Sequence, residues 1–244
     1  MKRTIFVIIS IVIVWELIII LFSIPNYFLP PPYSVAISMY NNFGLLIHQT
    51  VPTLEEILLG LFFGVIFGIA AAMTMIMFRP IRYWMGPVLV LSQAIPIFVF
   101  APLIVIWLGY GISSKVVITL LSLFFPVTSY FFDGLTRTNQ DWIDLAHTMN
   151  SDNWHTVYYI RIPAALPSLA SGIKVAAAWA PMAALVGEWV GASKGLGYLM
   201  IQANSSMDLN LMFGALIFLI IISLAIYYAI NYALDKLIPW QKEV

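Results

Sequence analysis

Long apolar runs alternate along this chain with short polar breaks. A helix needs about 20 apolar residues to cross the hydrocarbon core of a bilayer. Six stretches meet or approach that length: Thr4–Phe22, Thr53–Phe78, Trp84–Leu108, Lys115–Leu135, Leu166–Val190 and a segment within Leu209–Leu234. Ile57 to Phe78, Tyr83 to Ser114 and Leu209 to Leu234 carry no charge at all. The pattern predicts an all-α integral membrane protein of about six transmembrane helices. Turn chemistry punctuates it. SIPNYFLPPPYS (Ser23 to Ser34) holds four prolines and is not helical throughout. FRPIRYW, GYGISSK, SKGLGY and SSMDLN break the later runs.

Composition excludes the soluble alternative. The 244 residues are 62% hydrophobic and 9% charged, with mean hydropathy +0.96. Soluble domains hold about 25% charged residues, and no fold of this size hides so much apolar surface. A basic, apolar N-terminus suits a signal peptide, but the run continues to Phe22 with no small-x-small cleavage site. It reads as a retained first helix. Net charge is zero, which gives nucleic acid no basic field to bind. There are no cysteines, and His48, His147 and His155 form no metal-ligand pattern.

Basic residues in short loops set the orientation. With the N-terminus inside, Lys2, Arg3, Arg79, Arg82, Arg137, Arg161, Lys236 and Lys242 face the cytoplasm, against Lys115 and Lys194 outside. Lys174 falls within the fifth segment. Both termini are then cytoplasmic. No internal repeat is visible, so an inverted-repeat secondary transporter gains no support.

The same orientation places a polar island, DLAHTMNSDNWHTVYYIRIP (Asp144 to Pro163), in the cytoplasm. DWIDLAHTM suits a short amphipathic helix. NSDN supplies capping and turn residues, and Asn150 can take the left-handed conformation. NWHTVYYI resumes a helix, and Pro163 resets the chain before the fifth span.

This island resembles the docking loop of importer-type ABC permeases, whose motif is Glu-Ala-Ala, three residues, Gly, nine residues, Ile-x-Leu-Pro. Asp144, Leu145 and Ala146 stand at Glu-Ala-Ala, Asn150 at Gly, Ile160 at Ile, Ile162 at Leu and Pro163 at Pro. Four positions differ, but Asp keeps the charge, Asn the turn and Ile the apolar contact. The resemblance extends over nearly the whole chain. YFLPPPYSV, SQAIPIFVFAPLIVIWLGYG and VGEWVGASKGLGYLM are similar to segments of nitrate/sulfonate/taurine-type permeases. FFPVTSYFFDGLTRTNQDWIDLAHTM and the residues from Ala180 to Met207 look closest to permeases for the hydroxymethylpyrimidine precursor of thiamine.

That resemblance implies a type I importer permease with a cytoplasmic coupling helix, in a bacterial inner membrane. Residues 1–52 would form the first helix and a Pro-rich outer segment, 53–235 the permease core with its coupling loop at 136–165, and 236–244 a cytoplasmic tail. It implies two ATP-binding subunits docked on Asp144, Leu145, Ala146, Asn150, Ile160 and Pro163. ATP and Mg would be used there and not by this chain, which lacks a phosphate-binding Gly-rich loop. A soluble substrate-binding protein and a second permease copy complete the set. A sulfonate, taurine or nitrate permease is the alternative. A stand-alone carrier is weaker, and no catalytic constellation supports an enzyme.

Within the spans, Gln93, Pro96, Pro181, Glu188 and Trp189 are candidates for the path or its gate, because proline frees backbone carbonyls and an intramembrane carboxylate is functional by default. A hydrogen-bonded structural role is the competing reading for Glu188. Pro102 shares the ambiguity of Pro96. Glu16 could pair with a neighbouring helix. Glu55 and Glu56 are expected to begin the second helix, at its positive dipole end. Gly60, Gly64 and Gly68 form a stripe for close helix packing.

Overall fold

The computed structural model describes residues 2–240, with the side chains of all but 2–5 and 8. Lys242 and the rest of the tail beyond Trp240 lie outside the described residues, as do the Lys2 and Arg3 side chains. The elements are α1 (Lys2–Phe22), α2 (Pro32–Asn41), α3 (Phe43–Met77), α4 (Arg79–Ala94), α5 (Ile97–Leu108), α6 (Ile112–Thr136), α7 (Gln140–Thr148), α8 (Asn153–Thr156), a π-helical turn (Val157–Arg161), α9 (Ile162–Gly191), α10 (Leu196–Ser205) and α11 (Leu209–Leu237). No strand occurs among the described residues.

The core is a sandwich of three long helices with α6 in the middle. Small residues let the backbones approach. A Cβ on Gly60 or Gly68 would collide with Thr119 or Val127, and one on Gly64 would press on Leu123 at 3.1 Å. These α6 partners recur every four residues, matching the glycine spacing on α3. On its other side α6 meets α9 in the same way, with Gly134 against Ser168 and Gly172 against Tyr130 and the Pro126 carbonyl. Leu123, Val127, Phe131 and Leu135 of α6 are buried between Ile57 and Leu61 of α3 and Ala176, Ala177 and Ala180 of α9. In lipid, such packing replaces the hydrophobic effect as the force between helices.

Among the described residues, four helical segments are long and apolar enough to span: Phe43–Met77, Ile112–Thr136, Asn153–Gly191 and Leu209–Leu237. The third expected span, Trp84–Leu108, is instead a pair, α4 and α5, bent by 100°. Ile95 is extended, as residues before proline are, and Pro96 offers no N–H to continue α4. Hydropathy registers composition and is blind to such a corner. α1 contributes the apolar stretch Ile9–Phe22, with Trp15 against Phe213 of α11 at 5.5 Å.

Two other expectations need correction. α3 begins ten residues before Thr53 and runs through Pro52, which costs it the bond to the His48 carbonyl. Glu56 therefore lies well inside the helix, not at its dipole end. The last apolar runs are not separated by loop alone, because α10 occupies Leu196–Ser205 between them. The helical segment ending in α9 starts at Asn153 and has 39 residues. At 1.5 Å per residue it is about 58 Å long, nearly twice the hydrocarbon core. Its surplus projects from one face of the bundle beside α7, and that face is called the loop face below. α11 ends there too: Trp240, just past its end, lines one groove with Trp142 and Leu145 of α7.

Candidate docking loop and outer polar cluster

The loop face is built as a fixed elbow. Asn139 caps α7 by accepting from the Asp141 amide at 2.9 Å. The helix closes with a paired return: the Asn150 amide donates to the His147 carbonyl at 3.0 Å, and the Ser151 amide to the Ala146 carbonyl at 3.0 Å. This arrangement needs a left-handed residue at Asn150, whose φ is 60°. Asp152 then caps α8, accepting from the His155 amide at 2.8 Å and contacting its ring at 2.6 Å. Those contacts, the backbone N–H first, hold the Asp152 carboxyl below its usual range. Arg161 donates to the Leu135 carbonyl at 3.1 Å and pins the elbow to the end of α6. The π-helical turn falls just before Pro163, whose missing N–H would otherwise close on Tyr159.

α7 is two-sided. Ile143 and Ala146 are buried against the bundle, while Trp142, Leu145 and Met149 are exposed. The exposed side lines a groove of about 1190 Å³ shared with Tyr159, Ile160, Pro163 and Trp240. Leu145, Ala146, Ile160 and Pro163 thus meet in one groove. Asp144 is exposed beside it and accepts from Gln140 at 2.9 Å. Asn150 lies at the turn and shapes the groove through the backbone. Such an apolar groove is larger than a scatter of exposed hydrophobes and marks a contact surface.

A second constellation lies at the opposite end, where α3 starts, α9 ends and α10 begins. The first amides of a helix lack intrahelical acceptors. At α10 every one of them is met by a side chain from elsewhere. Gly195 N–H donates to Gln49 Oε1 at 2.8 Å, and Leu196 N–H to Thr53 Oγ1 at 2.8 Å. Gly197 and Tyr198 N–H donate to Glu188 Oε2 at 2.5 and 3.3 Å. Thr53 Oγ1 in turn donates a hydrogen bond to Glu188 Oε1 at 2.5 Å. A Cβ on Gly195 or Gly197 would meet the Glu188 carboxylate, and Gly195 has φ 115°. The Gly-Leu-Gly run is required by this approach. One turn along α3, Glu56 forms a buried ion pair with Lys115 of α6 at 3.0 Å. Glu56 Oε2 and Thr119 Oγ1 are buried with no hydrogen-bond partner among the described residues.

Sequence reasoning missed most of this cluster. The signal was Gln49, Thr53 and Glu56 at i, i+4 and i+7, a polar stripe on one face of a largely apolar helix. The sequence-based path candidates separate. Glu188 is 1% exposed and hydrogen-bonded into the cluster. Trp189 beside it is half exposed, its ring 6.2 Å from Phe98 near the start of α5. Gln93 and Pro96 are exposed at the α4–α5 corner close by in sequence, whereas Pro181 is buried within α9. Glu16 is part-buried and has no hydrogen-bond partner among the described residues. No group of metal-ligating side chains occurs among the described residues.

Comparison with known proteins decides the family. The family described as "binding-protein-dependent transport system inner membrane component" matches residues 64–242. The chain belongs to that family of ABC importer permeases. A probable ABC transporter permease of Haemophilus influenzae is 46% identical over 225 residues, covering 92% of each chain. A formylaminopyrimidine transport permease of Halalkalibacterium halodurans is 33% identical, covering 95% of this chain and 92% of the relative. A taurine transport permease of Escherichia coli is 26% identical, covering 95% and 86%. The permease chain of an inward-facing methionine ABC transporter, MetNI, shares the fold with TM-score 0.69 at 18% identity, covering 82% of this chain and 98% of that one. The permease is accordingly a multi-pass membrane subunit of the nitrate/sulfonate/taurine type and not an enzyme. Permeases of its family work with a separate ATPase, which uses the ATP, and with a substrate-binding protein.

Proposed function

We propose that the permease imports a pyrimidine precursor of thiamine, driven by two ATPase subunits seated on two copies of the α7 groove. The 33% identity to the formylaminopyrimidine permease across 95% of the chain supports the cargo. Trp189 and Phe98 meet edge to face beside the α4–α5 corner, and aromatic faces of this kind stack flat heterocycles. Gln93 adds an amide that reads a ring's donors and acceptors, while Pro96 and Pro181 give the path its hinges. Taurine remains the second reading because of the 26% relative; an aliphatic sulfonate has no ring to stack.

In this reading the loop face is cytoplasmic, both termini included. ATP with Mg binds the paired ATPases and draws the two elbows together. The rigid cap and return at Asn139, Asn150 and Asp152 carry that motion into α6 and α9 without loss. Each copy supplies half the path, which opens at the two-fold axis of a homodimer. Motion follows because nucleotide binds one state better than the other. The test is uptake of a labelled aminopyrimidine by proteoliposomes holding permease, ATPase and binding protein. Competition by unlabelled pyrimidine and not by taurine is expected, with uptake cut at least about tenfold by Trp189→Ala. Competition by taurine alone sinks the cargo assignment.

A further inference from the structure

A basic pocket lies on the other side of α7 from the groove. It has a volume of about 380 Å³ and is lined by Arg79 and Arg82 of α4, His147 of α7, Arg161 of the π turn and the apolar end of α3. No Asp or Glu lines it, and none of the three guanidinium groups has a carboxylate within 4 Å among the described residues. Arg82 lies over the Phe132 ring at 5.1 Å, and Arg161 commits one donor to the Leu135 carbonyl. Arg79 and Arg82 are exposed at its mouth, and each guanidinium carries five N–H donors that suit a phosphate.

We propose that this pocket binds the phosphate of an anionic lipid headgroup in the leaflet on the loop face. Three observations choose a lipid over a carboxylate from a docked protein. The pocket opens where the apolar α3 ends, with Met75, Ile76 and Met77 in its wall next to Arg79. Tyr83 and Trp84, both more than 70% exposed, stand beside Arg82 as interfacial aromatics do. The wall supplied by α7 is its inward side, carrying Ile143 and His147, while the ATPase groove uses Trp142, Leu145 and Met149. Basic pockets between helices on the cytoplasmic side are suited to lipid headgroups. A bound phosphate bridges the α3–α4 corner to the elbow and braces it. The cytoplasmic leaflet rests on the orientation proposed above; the binding itself does not.

Native mass spectrometry of the full chain in detergent, titrated with phosphatidylglycerol or phosphatidylcholine, tests this. Preference for phosphatidylglycerol is expected. Arg79→Gln with Arg82→Gln should weaken it about thirtyfold, the worth of two basic residues near a charged headgroup. The lysine pair at the same positions should keep most of it, and so guards against a folding artefact. Arg137→Gln with Lys236→Gln removes equal charge outside the pocket and should leave the lipid preference unchanged. Equal affinity for both lipids, or equal loss in that control, overturns the site. Inorganic phosphate separates the sources: occupancy by phosphate with no lipid preference overturns the lipid assignment. So does release of the lipid when the ATPase docks. Failure of aminopyrimidine uptake touches none of these readouts.

Discussion

Lys115→Met should damage the permease more than Lys115→Met together with Glu56→Met. The two side chains sit 3.0 Å apart and nearly sealed from solvent. At an effective dielectric of about 20, unit charges at that distance attract by roughly 5 kcal/mol. Desolvating both charges offsets most of it, so the intact pair adds little net stability. Removing lysine alone is different. Glu56 Oε1 then loses its partner beside an Oε2 that has none among the described residues, and the Glu188 carboxylate is held by Thr53, one turn back along α3. Breaking a buried pair costs about 3–5 kcal/mol, whereas replacing both members by apolar residues is near neutral. Thermal unfolding in detergent should show a fall of about 10 °C for the single variant. The double variant should recover most of it. If the single variant melts within about 2 °C of the wild type, or the double variant melts as low as the single, the pair is not holding α3 to α6 as described.

Gly68→Leu should destabilise the α3–α6 contact by about 1–3 kcal/mol through overpacking against Val127, while Gly86→Ala, with open space around it, should be silent; equal melting of the two refutes the packing account. Glu188→Ala should expose the α10 amides, costing about 3 kcal/mol for the groups left unpaired, and hydrogen exchange should accelerate at Gly197 and Tyr198. Unchanged protection there would remove the clamp. Asn150→Gly should preserve ATPase coupling, whereas Asn150→Val should lose about 1–2 kcal/mol of loop stability to its left-handed φ and lower the uptake achieved per ATP. Equal uptake per ATP in both variants contradicts a role for the turn in stiffness.

The spans and the elbow were legible because both are written locally. Apolar length declares a span. Asn150, Asp152 and Pro163 each act on backbone within a few residues of themselves, so their spacing is readable without knowing the fold. The corner at Pro96 was less legible: its proline is visible, but lipid tolerates kinked and broken helices alike, and packing decides the angle. The outer cluster was not legible. Gly195 and Leu196 find their acceptors on Gln49 and Thr53, over 140 positions earlier in the chain. Glu56 finds Lys115 on another helix. Once α3 is drawn from Phe43 and not from Thr53, these polar residues fall on one stripe and the expectation of a dipole-end carboxylate disappears.

In the proposed mechanism the force of ATP binding passes through the α7 groove. Asp144→Lys tests it directly, because Asp144 is exposed and its one side-chain bond, to Gln140, is dispensable for the fold. Proteoliposomes with permease, ATPase and binding protein should take up no cargo with this variant, and the ATPase should no longer co-purify, while the melting temperature of the permease stays unchanged. Full uptake by a well-folded Asp144→Lys permease would contradict the account.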